Sequence, residues 1–400
     1  MEATSKVSDR MKGVNPSAVR EIFKYLSDPE VISFAGGNPS EQTFPAQELS
    51  RLSEGMFAGM TNVFLQYGVT EGYGPLRQAT LARMREKYGV GGENDDIIIT
   101  TGATQGVDLC MKTFTNPGDV IICENPSFVG SLNDMRSLQT RIVGVPMDGK
   151  GMDMAALEKA LQTEKNVKLI YTIPSFQNPT GVTMTAQRRR RLYELAVKYD
   201  VLVIEDEAYF ELCYNGSAPR CIKSMDTTGH VIFLGSYSKT ISPGLRCGYL
   251  IMDKGLMSKV VVAKQCADVN TTVYSQMLIS EFITEADYDG HIARCCDVYR
   301  EKRDRMLSGI RANFDPRVKY TVPEGGLFIW CTMPEGFSGK ELCARAIEAK
   351  VACVPGSAFD TAEDPQSSCF RLNFSMPTLE QIDEGTRRVG KAISEILSGR

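Results

Sequence analysis

The sequence predicts an α/β fold, in which a large domain with a mainly parallel sheet flanked by helices precedes a small α+β domain. Two observations lead to this prediction. Five short apolar runs rich in β-branched residues alternate with stretches of helical periodicity. After about residue 280 this alternation gives way to one long helical pattern followed by separate strands. The chain has 400 residues, 42% of them hydrophobic, so it is long enough to bury two cores.

The elements of the large domain follow an arm, residues 1–45, in which Gly36, Gly37 and Pro39 mark a turn. The predicted strands lie at residues 96–100, 119–123, 167–171, 201–204 and 230–234. Each is a continuous apolar run, which is typical of strands covered on both faces. Helical stretches between them indicate βαβ units, and hence a parallel sheet, over residues 46–285.

The small domain, residues 286–400, begins with a long helix predicted at residues 288–314. A turn at Gly325 and Gly326 follows, and a closing helix begins at Thr378. The remaining predicted elements are strands at 327–330, 351–354 and 370–374 and a helix at 339–349.

Charge and composition exclude several classes of function. A net charge of −4 and a basic run confined to residues 188–191 argue against a nucleic-acid partner. That run starts the helix predicted at residues 185–199, so we expect it to form a solvated face. The two histidines, His230 and His291, lie in no recognisable motif, which argues against a Ser-His-Asp hydrolase and a metal site.

The location of the protein is expected to be the cytoplasm. Twelve cysteines occur without any C-x-x-C spacing, which fits reduced thiols. No apolar run is long enough for a membrane span, and residues 1–6 lead into no secretory segment.

The most informative stretch, residues 235–248, contains Lys239. The lysine follows a buried strand and two serines, Ser236 and Ser238, and Arg246 comes seven residues later. A phosphate-binding P-loop requires glycine immediately before its lysine, where this chain has Ser238. The pattern favours an amine that forms a Schiff base with an aldehyde cofactor, with hydroxyls and an arginine to hold a phosphate. The alternative is a surface lysine.

A second strand, residues 201–204, leads directly into three carboxylates. Asp206 is placed to keep a pyridine nitrogen protonated at the carboxyl end of the sheet, and Tyr209 to contact a ring oxygen. The structural alternative for Asp206 is a helix N-cap.

The residues that follow three further predicted strands also suit a flat cofactor ring with a phosphate. Gly102, Ala103 and Thr104 open a helix whose free N–H groups suit a phosphate. Phe128 is placed to lie over a flat ring and Asn178 to hydrogen-bond its oxygen. None of these signals is specific alone, and their convergence supports the hypothesis.

On these motifs the sequence resembles the class I/II aminotransferases, which are fold-type I pyridoxal-phosphate enzymes. The resemblance runs from residues 34–37 to residues 370–375 and is most specific at residues 178–181, 236–239 and 243–246. It is greatest to the 2-aminoadipate, kynurenine and aromatic aminotransferase branch, which includes the aminotransferase-like domains of MocR-type regulators. The resemblance implies a seven-stranded sheet in the large domain and pyridoxal 5′-phosphate as cofactor.

The resemblance also implies individual roles. Lys239 would hold the cofactor and shuttle a proton, and Asp206 would pair with the pyridine nitrogen. Asn178 and Tyr209 would contact the ring oxygen, and Phe128 would stack on the ring where the family often has tyrosine. The residues implied to bind the phosphate are Gly102, Ala103, Thr104, Ser236, Ser238 and Arg246.

Two implied roles concern the neighbouring subunit and the substrate. Tyr67 matches a tyrosine that reaches the phosphate of the partner subunit, which implies a homodimer with active sites at the interface. Arg371 matches the arginine that binds the substrate α-carboxylate, unless it is a surface arginine. Gly37, together with Asn178, is placed on the substrate side.

Three functions are therefore weighed. The first is transfer of an amino group from an amino acid to a 2-oxo acid, with 2-oxoglutarate expected as acceptor, by a ping-pong mechanism. The second is another reaction of the same cofactor, namely a C–S lyase, decarboxylase or racemase, since fold analogy does not separate these. The third is a MocR-like regulator, although the 33 residues before Phe34 are too few for its DNA-binding domain.

The substrate side chain stays open between aromatic, aliphatic and aminoadipate-like groups. Residues around 15–25 are expected to line that end of the pocket, together with Gly36 and Gly37.

Overall fold

The computed structural model describes residues 6–12, 14, 28–214, 216, 220–362 and 365–399. Its largest sheet has eight strands in the described residues, in the order β2-β9-β8-β7-β6-β3-β4-β5. Their bounds are β2 (Asp95–Thr100), β3 (Val120–Asn125), β4 (Arg141–Asp148), β5 (Gly151–Met152), β6 (Val167–Thr172), β7 (Leu202–Asp206), β8 (Val231–Ser236) and β9 (Gly248–Asp253).

Most of this sheet is parallel, as predicted. Strands β4, β3, β6, β7 and β8 pair in parallel, whereas β9 runs antiparallel to both of its neighbours. The two-residue β5 pairs antiparallel with β4 and adds an eighth strand to the seven that the family resemblance implies. The parallel strands therefore direct their carboxyl ends to one edge of the sheet.

Helices cover both faces of the large sheet. One face is covered by α5 (Ala103–Phe114), α6 (Val129–Ser137) and α9 (Lys254–Ala267). The helices of the other face are α4 (Gly74–Tyr88), α7 (Met154–Thr163), α8 (Ala186–Tyr199) and α10 (Val273–Glu285), with α2 (Ala46–Gly59) and α3 (Thr61–Phe64) packed beside α10. A short helix, α1 (Asp9–Lys12), precedes these.

The strands are apolar throughout because successive side chains enter different cores. In β6, Leu169 and Tyr171 face α5 and α6, while Ile170 faces α7 and α8. All three side chains are fully buried. This two-sided burial is the physical reason for the continuous apolar runs in the sequence.

Strand β7 places carboxylates on both faces and corrects one prediction. Asp206 lies on the face of α5 and α6, whereas Glu205 and Glu207 point toward α8. There Arg189, expected on a solvated helix face, is fully buried, with Nη1 2.9 Å from Glu207 Oε1 and Nη2 donating to Ser175 Oγ. The prediction was wrong at this residue because two buried carboxylates require a buried positive charge.

A four-stranded sheet in the order β10-β11-β14-β13 forms the core of the C-terminal part. Helix α11 packs against α13 beside this sheet, and Thr378 caps α13 with a reciprocal hydrogen bond to Gln381. The bounds are β10 (Lys319–Tyr320), β11 (Phe328–Thr332), β13 (Val354–Pro355), β14 (Cys369–Asn373), α11 (Tyr288–Asn313), α12 (Gly339–Glu348) and α13 (Leu379–Leu397).

The arm is joined to this C-terminal part. Strand β1 (Ile32–Ser33) pairs in parallel with β12 (Val351–Ala352), and Asn373 N donates to Phe34 O at 2.8 Å. These bonds fix residues 32–34 to the C-terminal part, and the turn at Gly36 and Gly37 follows directly after them. Residues 15–25 lie outside the described residues. Among the helices of the described ranges, none is both long and apolar enough to cross a membrane.

Candidate active site

The side chains singled out in the sequence gather where the parallel strands end. Gly102 follows β2, Phe128 follows β3, and Asn178 follows β6. Asp206 ends β7, and Lys239 lies three residues after β8. The carboxyl edge of a parallel sheet is where α/β proteins place their ligands, and the structure thus groups these residues at that edge.

Lys239 is half-buried beneath the arm. Its Nζ donates to Gly37 O at 2.9 Å and lies 5.9 Å from the ring centre of Tyr209. Burial is the main cause that lowers the pKa of Lys239 to about 8. The positive charges of Arg246 and Arg371 lower this pKa in the same direction, while Asp206 acts against them. Lys239 therefore loses its proton far more readily than an ordinary lysine, as a nucleophilic amine requires.

Asp206 has one satisfied and one unsatisfied oxygen. Its Oδ2 accepts a hydrogen bond from the Tyr171 hydroxyl at 2.7 Å. Its Oδ1 is buried and has no hydrogen-bond partner in the structure. Burial raises the pKa of Asp206 to about 6, although the bond from Tyr171 lowers it. A buried carboxylate oxygen without a donor is costly, so this atom suits a ligand that supplies an N–H.

Arg371 is buried in the same way on the opposite side of the site. Its Nη1 donates to Asn178 Oδ1 at 2.7 Å and its Nη2 to Ala35 O at 2.6 Å. The guanidinium lies 4.2 Å from the ring centre of Phe328, and its Nε has no partner. It forms no ion pair with any carboxylate of the described residues, and burial lowers its pKa to about 10. The structural alternative of a surface arginine is wrong, since Arg371 is only 2% exposed.

Asn178 and Tyr209 connect Arg371 to the rest of the site. Asn178 accepts from Arg371 and its side chain also hydrogen-bonds that of Tyr209. The ring of Tyr209 meets Phe328 edge to face at 5.7 Å, and burial raises the pKa of its hydroxyl. Both side chains are buried, and the ring of Tyr209 lies 5.9 Å from Lys239 Nζ.

An open cup forms at the start of α5. Gly102 has a φ of 79°, and a Cβ there would lie 2.4 Å from Arg246 Nη2, so only glycine fits beside the arginine. No side chain caps the helix, which leaves the N–H groups of Ala103 and Thr104 available. Arg246 itself is exposed, and its Nη2 lies 3.4 Å from Thr101 O.

The remaining predicted site residues are Ser236, Ser238 and Phe128. Ser236 and Ser238 are buried beside Lys239, and the backbone N–H of Ser238 donates to Ser236 Oγ at 3.1 Å. Phe128 caps α6 half-buried between two apolar clusters of the core.

Tyr67 is the predicted site residue that stands apart. Its side chain is 83% exposed and makes no hydrogen bond with the other predicted residues in the described part of the chain. The two histidines have structural partners, since His291 Nε2 donates to Thr240 O and His230 Nε2 pairs with Asp200.

Sequence reasoning missed Tyr171, Ala35 and Phe328. Tyr171 lies inside a predicted strand, where its aromatic ring is expected in any case, so only its hydroxyl distinguishes it. Ala35 acts through its backbone carbonyl, which no side-chain pattern reveals. Phe328 was predicted to lie in a strand, but its contact with Arg371 was not predicted.

The profile of the family "Aminotransferase class I and II" matches residues 29–389. The chain is 38% identical to the aromatic-amino-acid aminotransferase 1 of Thermococcus litoralis over 97% of this chain and 94% of that one. A structure of Pyrococcus horikoshii kynurenine aminotransferase with PMP superposes with a TM-score of 0.95, at 36% identity and coverage of 99% and 98%. The α-aminoadipate aminotransferase LysN of Thermus thermophilus, bound to N-(5′-phosphopyridoxyl)-L-leucine, superposes with a TM-score of 0.92, at 33% identity over the full length of both chains.

The residues of this site fit pyridoxal phosphate. A lysine with a lowered pKa suits the aldehyde, the unpartnered Asp206 Oδ1 suits a protonated ring nitrogen, and the glycine-lined cup at α5 suits the phosphate. The family match, the superposed structures and this fit agree. The chain therefore belongs to the class I and II aminotransferases and is a pyridoxal-phosphate-dependent enzyme of fold type I.

Proposed function

We propose that this aminotransferase moves the α-amino group of an amino acid to 2-oxoglutarate by a ping-pong mechanism, with Lys239 and Arg371 as its two principal groups. One observation supports this most strongly. A lysine with a lowered pKa and a buried arginine without a carboxylate partner lie in the same site. An α-amino acid presents on one carbon a carboxylate, which such an arginine binds, and an amine, which would take the place of the lysine on the cofactor aldehyde.

Lys239 is proposed to hold the cofactor between turnovers. With an amino acid bound, Lys239 would move the proton between the substrate Cα and the C4′ carbon of the cofactor. A pKa of about 8 supports this role, because the amine is then available both as base and as acid near neutral pH. The hydrogen bond from Nζ to Gly37 O, at 2.9 Å, gives the free amine a partner within the site.

When bound, pyridoxal phosphate supplies a pyridinium ring that withdraws electrons from the substrate Cα. Asp206 is proposed to hold the proton on the ring nitrogen through Oδ1. Asn178 and Tyr209 would contact the ring oxygen, and Phe128 would pack on the ring face. The burial of Asn178 and Tyr209 and the hydrogen bond between them support the first of these roles.

Arg371 is proposed to bind the substrate carboxylate through its unpartnered edge. Its contacts with Asn178, Ala35 and Phe328 fix the guanidinium plane before substrate arrives. A prepositioned fork loses little entropy on binding, which supports the assignment. Gly37 lines the same side, and its small size leaves room for the substrate.

The phosphate is proposed to lie in the cup formed by Gly102, Ala103 and Thr104, with Ser236, Ser238 and Arg246 around it. The exposure of Arg246 and of Thr104 leaves one side of the cup open in a single chain. In our proposal Tyr67 of a second subunit closes it.

A homodimer is therefore part of the proposal. Tyr67 lies among apolar side chains that are unusually exposed for a single chain, including Leu65 at 75%, Val69 at 63% and Phe57 at 56%. Clusters of this kind mark protein interfaces. Light scattering of the purified protein tests the mass, and Tyr67→Phe should weaken cofactor binding without dissociating the dimer.

For the amino donor, the relatives named for aromatic amino acids, kynurenine and α-aminoadipate indicate which substrates to test first. Phe328 and Phe359 flank Arg371, which supports donors with an apolar or aromatic side chain.

Two further assignments complete the proposal. The chain is divided into an arm at residues 1–45, a cofactor-binding domain at 46–285 and a small domain at 286–400. The protein is proposed to act in the cytoplasm, because its twelve cysteines include no C-x-x-C pair and several of them, such as Cys110 and Cys123, are buried among apolar side chains.

The test is the visible spectrum of the purified protein with added pyridoxal phosphate, before and after single amino acids. We expect an absorption band of the lysine-bound cofactor that borohydride removes and that a donor amino acid converts to the pyridoxamine form. 2-Oxoglutarate should restore the band. Lys239→Ala should lack both the band and turnover. A wild-type protein without the band in excess cofactor would refute the proposal, and release of the substrate's side chain or carboxyl group as the main product would indicate a lyase or decarboxylase.

A further inference from the structure

Tyr171 is a fully buried tyrosine in the middle of the central sheet. It lies on β6 in register with Ile204 of β7, so its ring is on the face to which Asp206 belongs. The phenol reaches along the neighbouring strand, and its hydroxyl donates to Asp206 Oδ2 at 2.7 Å.

The bond divides the two oxygens of Asp206 between different partners. Oδ2 is occupied by Tyr171, and Oδ1 has no partner in the structure. A carboxylate held at one oxygen by a residue of a neighbouring strand has a defined orientation. The other oxygen, Oδ1, then keeps one position before any ligand binds.

We propose that Tyr171 is a positioning residue for transamination: its hydroxyl fixes the rotamer of Asp206 and stabilises that carboxylate as an anion. The inference rests on the proposed role of Asp206 toward the ring nitrogen. It assigns to the middle of β6 a function that is separate from sheet packing.

The electrostatics of the surroundings explain why such a donor is needed. Burial and the negative charge of Glu207 both raise the pKa of Asp206, and hence favour its neutral form. A neutral carboxylic acid does not hold the proton of a pyridinium nitrogen by charge. The Tyr171 hydroxyl is the largest of the influences that lower the pKa of Asp206, followed by the backbone N–H of Ala208 and the charge of Lys239.

Tyr171 itself remains a hydrogen-bond donor. Burial, and secondly the charge of Asp206, raise the pKa of its hydroxyl well above the ordinary tyrosine value. The phenol is therefore the donor in its bond with Asp206. A hydrogen bond with the side chain of Ser131 of α6 acts against this rise in pKa.

The test is Tyr171→Phe in the full-length enzyme, because phenylalanine keeps the ring and its packing and removes only the hydroxyl. The matched control is Tyr299→Phe. Tyr299 is also fully buried, and its hydroxyl accepts from Ser40 N at 3.1 Å and bonds Thr43 Oγ1 at 3.0 Å, outside the residues assigned to the reaction.

Three measurements are made on both variants. We expect Tyr171→Phe to lower kcat about tenfold or more, the usual effect of losing a hydrogen bond to a charged group, with KM for the amino acid little changed. The Kd of the apoenzyme for pyridoxal phosphate should rise. The pH midpoint of the absorption change of the bound cofactor should also rise, since a ring nitrogen that is less protonated withdraws fewer electrons from the link to Lys239. Tyr299→Phe should move Tm and leave all three values unchanged.

The outcomes are distinct. A Tyr171→Phe enzyme with wild-type kcat and an unchanged pH midpoint would overturn the inference. Equal losses in both variants would also overturn it, because a general packing defect would then explain them. A wild-type protein that forms no cofactor band would overturn the proposed function and this inference together, and that result is seen before any variant is made.

Discussion

Replacing Arg371 by lysine tests the part of the site that recognises the amino acid. In the structure both Nη atoms are engaged by Asn178 and Ala35, each with one N–H, while Nε is unpartnered. The Nε–H and the second N–H of Nη2 form an edge that fits two carboxylate oxygens. Lysine keeps the charge but offers a single nitrogen, so one of these two bonds is lost.

The expected fall in kcat/KM follows from the loss of one hydrogen bond to the carboxylate. A hydrogen bond to a charged group contributes about 1.5–3 kcal/mol, which corresponds to a fall of about 10- to 150-fold in kcat/KM for the amino donor. The fall should lie mainly in KM, since the carboxylate is held similarly before and during proton transfer. Binding of pyridoxal phosphate should be almost unaffected because the proposed phosphate and ring contacts do not include Arg371.

The assay is steady-state transamination with varied donor, together with the absorbance of the bound cofactor. Arg303→Lys is the matched control: Arg303 is a buried arginine of α11 that lies 5.4 Å from the ring centre of Tyr214, outside the proposed site. A wild-type kcat/KM in Arg371→Lys would refute the assignment. An equal fall in Arg303→Lys would point to a general effect of removing a guanidinium.

Three further predictions follow from particular contacts. Asp206→Asn should lower kcat by about a hundredfold or more while the cofactor still binds, because an amide does not hold the ring proton by charge; normal turnover in stopped-flow assays would contradict this. The rate at which apoenzyme binds pyridoxal phosphate should rise with pH, reach half its maximum near pH 8 and level off above about pH 9, since the neutral Lys239 is the reactive form and its pKa is lowered to about 8; a rate that still rises steeply above about pH 9.5 would indicate a lysine with an ordinary pKa. Arg189→Met should lower the free energy of unfolding by about 3–5 kcal/mol, because Glu205 and Glu207 would remain buried without a positive charge. Urea denaturation measures this change, and an unchanged midpoint would show that the ion pairs of Arg189 do not stabilise the fold.

Much of the large sheet could be predicted because its strands are apolar on both faces. The runs at residues 96–100, 119–123, 167–171, 201–204 and 230–234 all lie within or overlap strands of the structure. Strand β4 was not predicted, since several of its side chains are partly or fully exposed and its sequence contains Gly144 and Pro146. The predicted strand at residues 351–354 is two short strands, β12 and β13, because the chain changes partner from the arm to β14.

Site residues could be predicted where a charged residue stands next to an apolar strand, because charged residues are rare there. Lys239, Asp206 and Arg371 are charged residues next to apolar strands, and the structure buries or half-buries each of them. Arg189 is also a buried charged residue, but it was not predicted because its three arginine neighbours suggested a solvated helix face. Tyr171 was not predicted because an uncharged tyrosine in a strand is not unusual. Distinguishing these two cases requires knowing which face of β7 each carboxylate occupies.

The pairing of β1 with β12 has a consequence for building chimaeras with related aminotransferases. Residues 32–34 are bonded into the C-terminal part of the chain, and two carbonyls just beyond them, at Ala35 and Gly37, contact Arg371 and Lys239. A graft that replaces this segment alone would change two backbone acceptors of the catalytic centre at once. A crossover placed before residue 31 would leave these acceptors and their strand in native register. Chimaeras should therefore take residues 31–37 and the C-terminal part from the same parent.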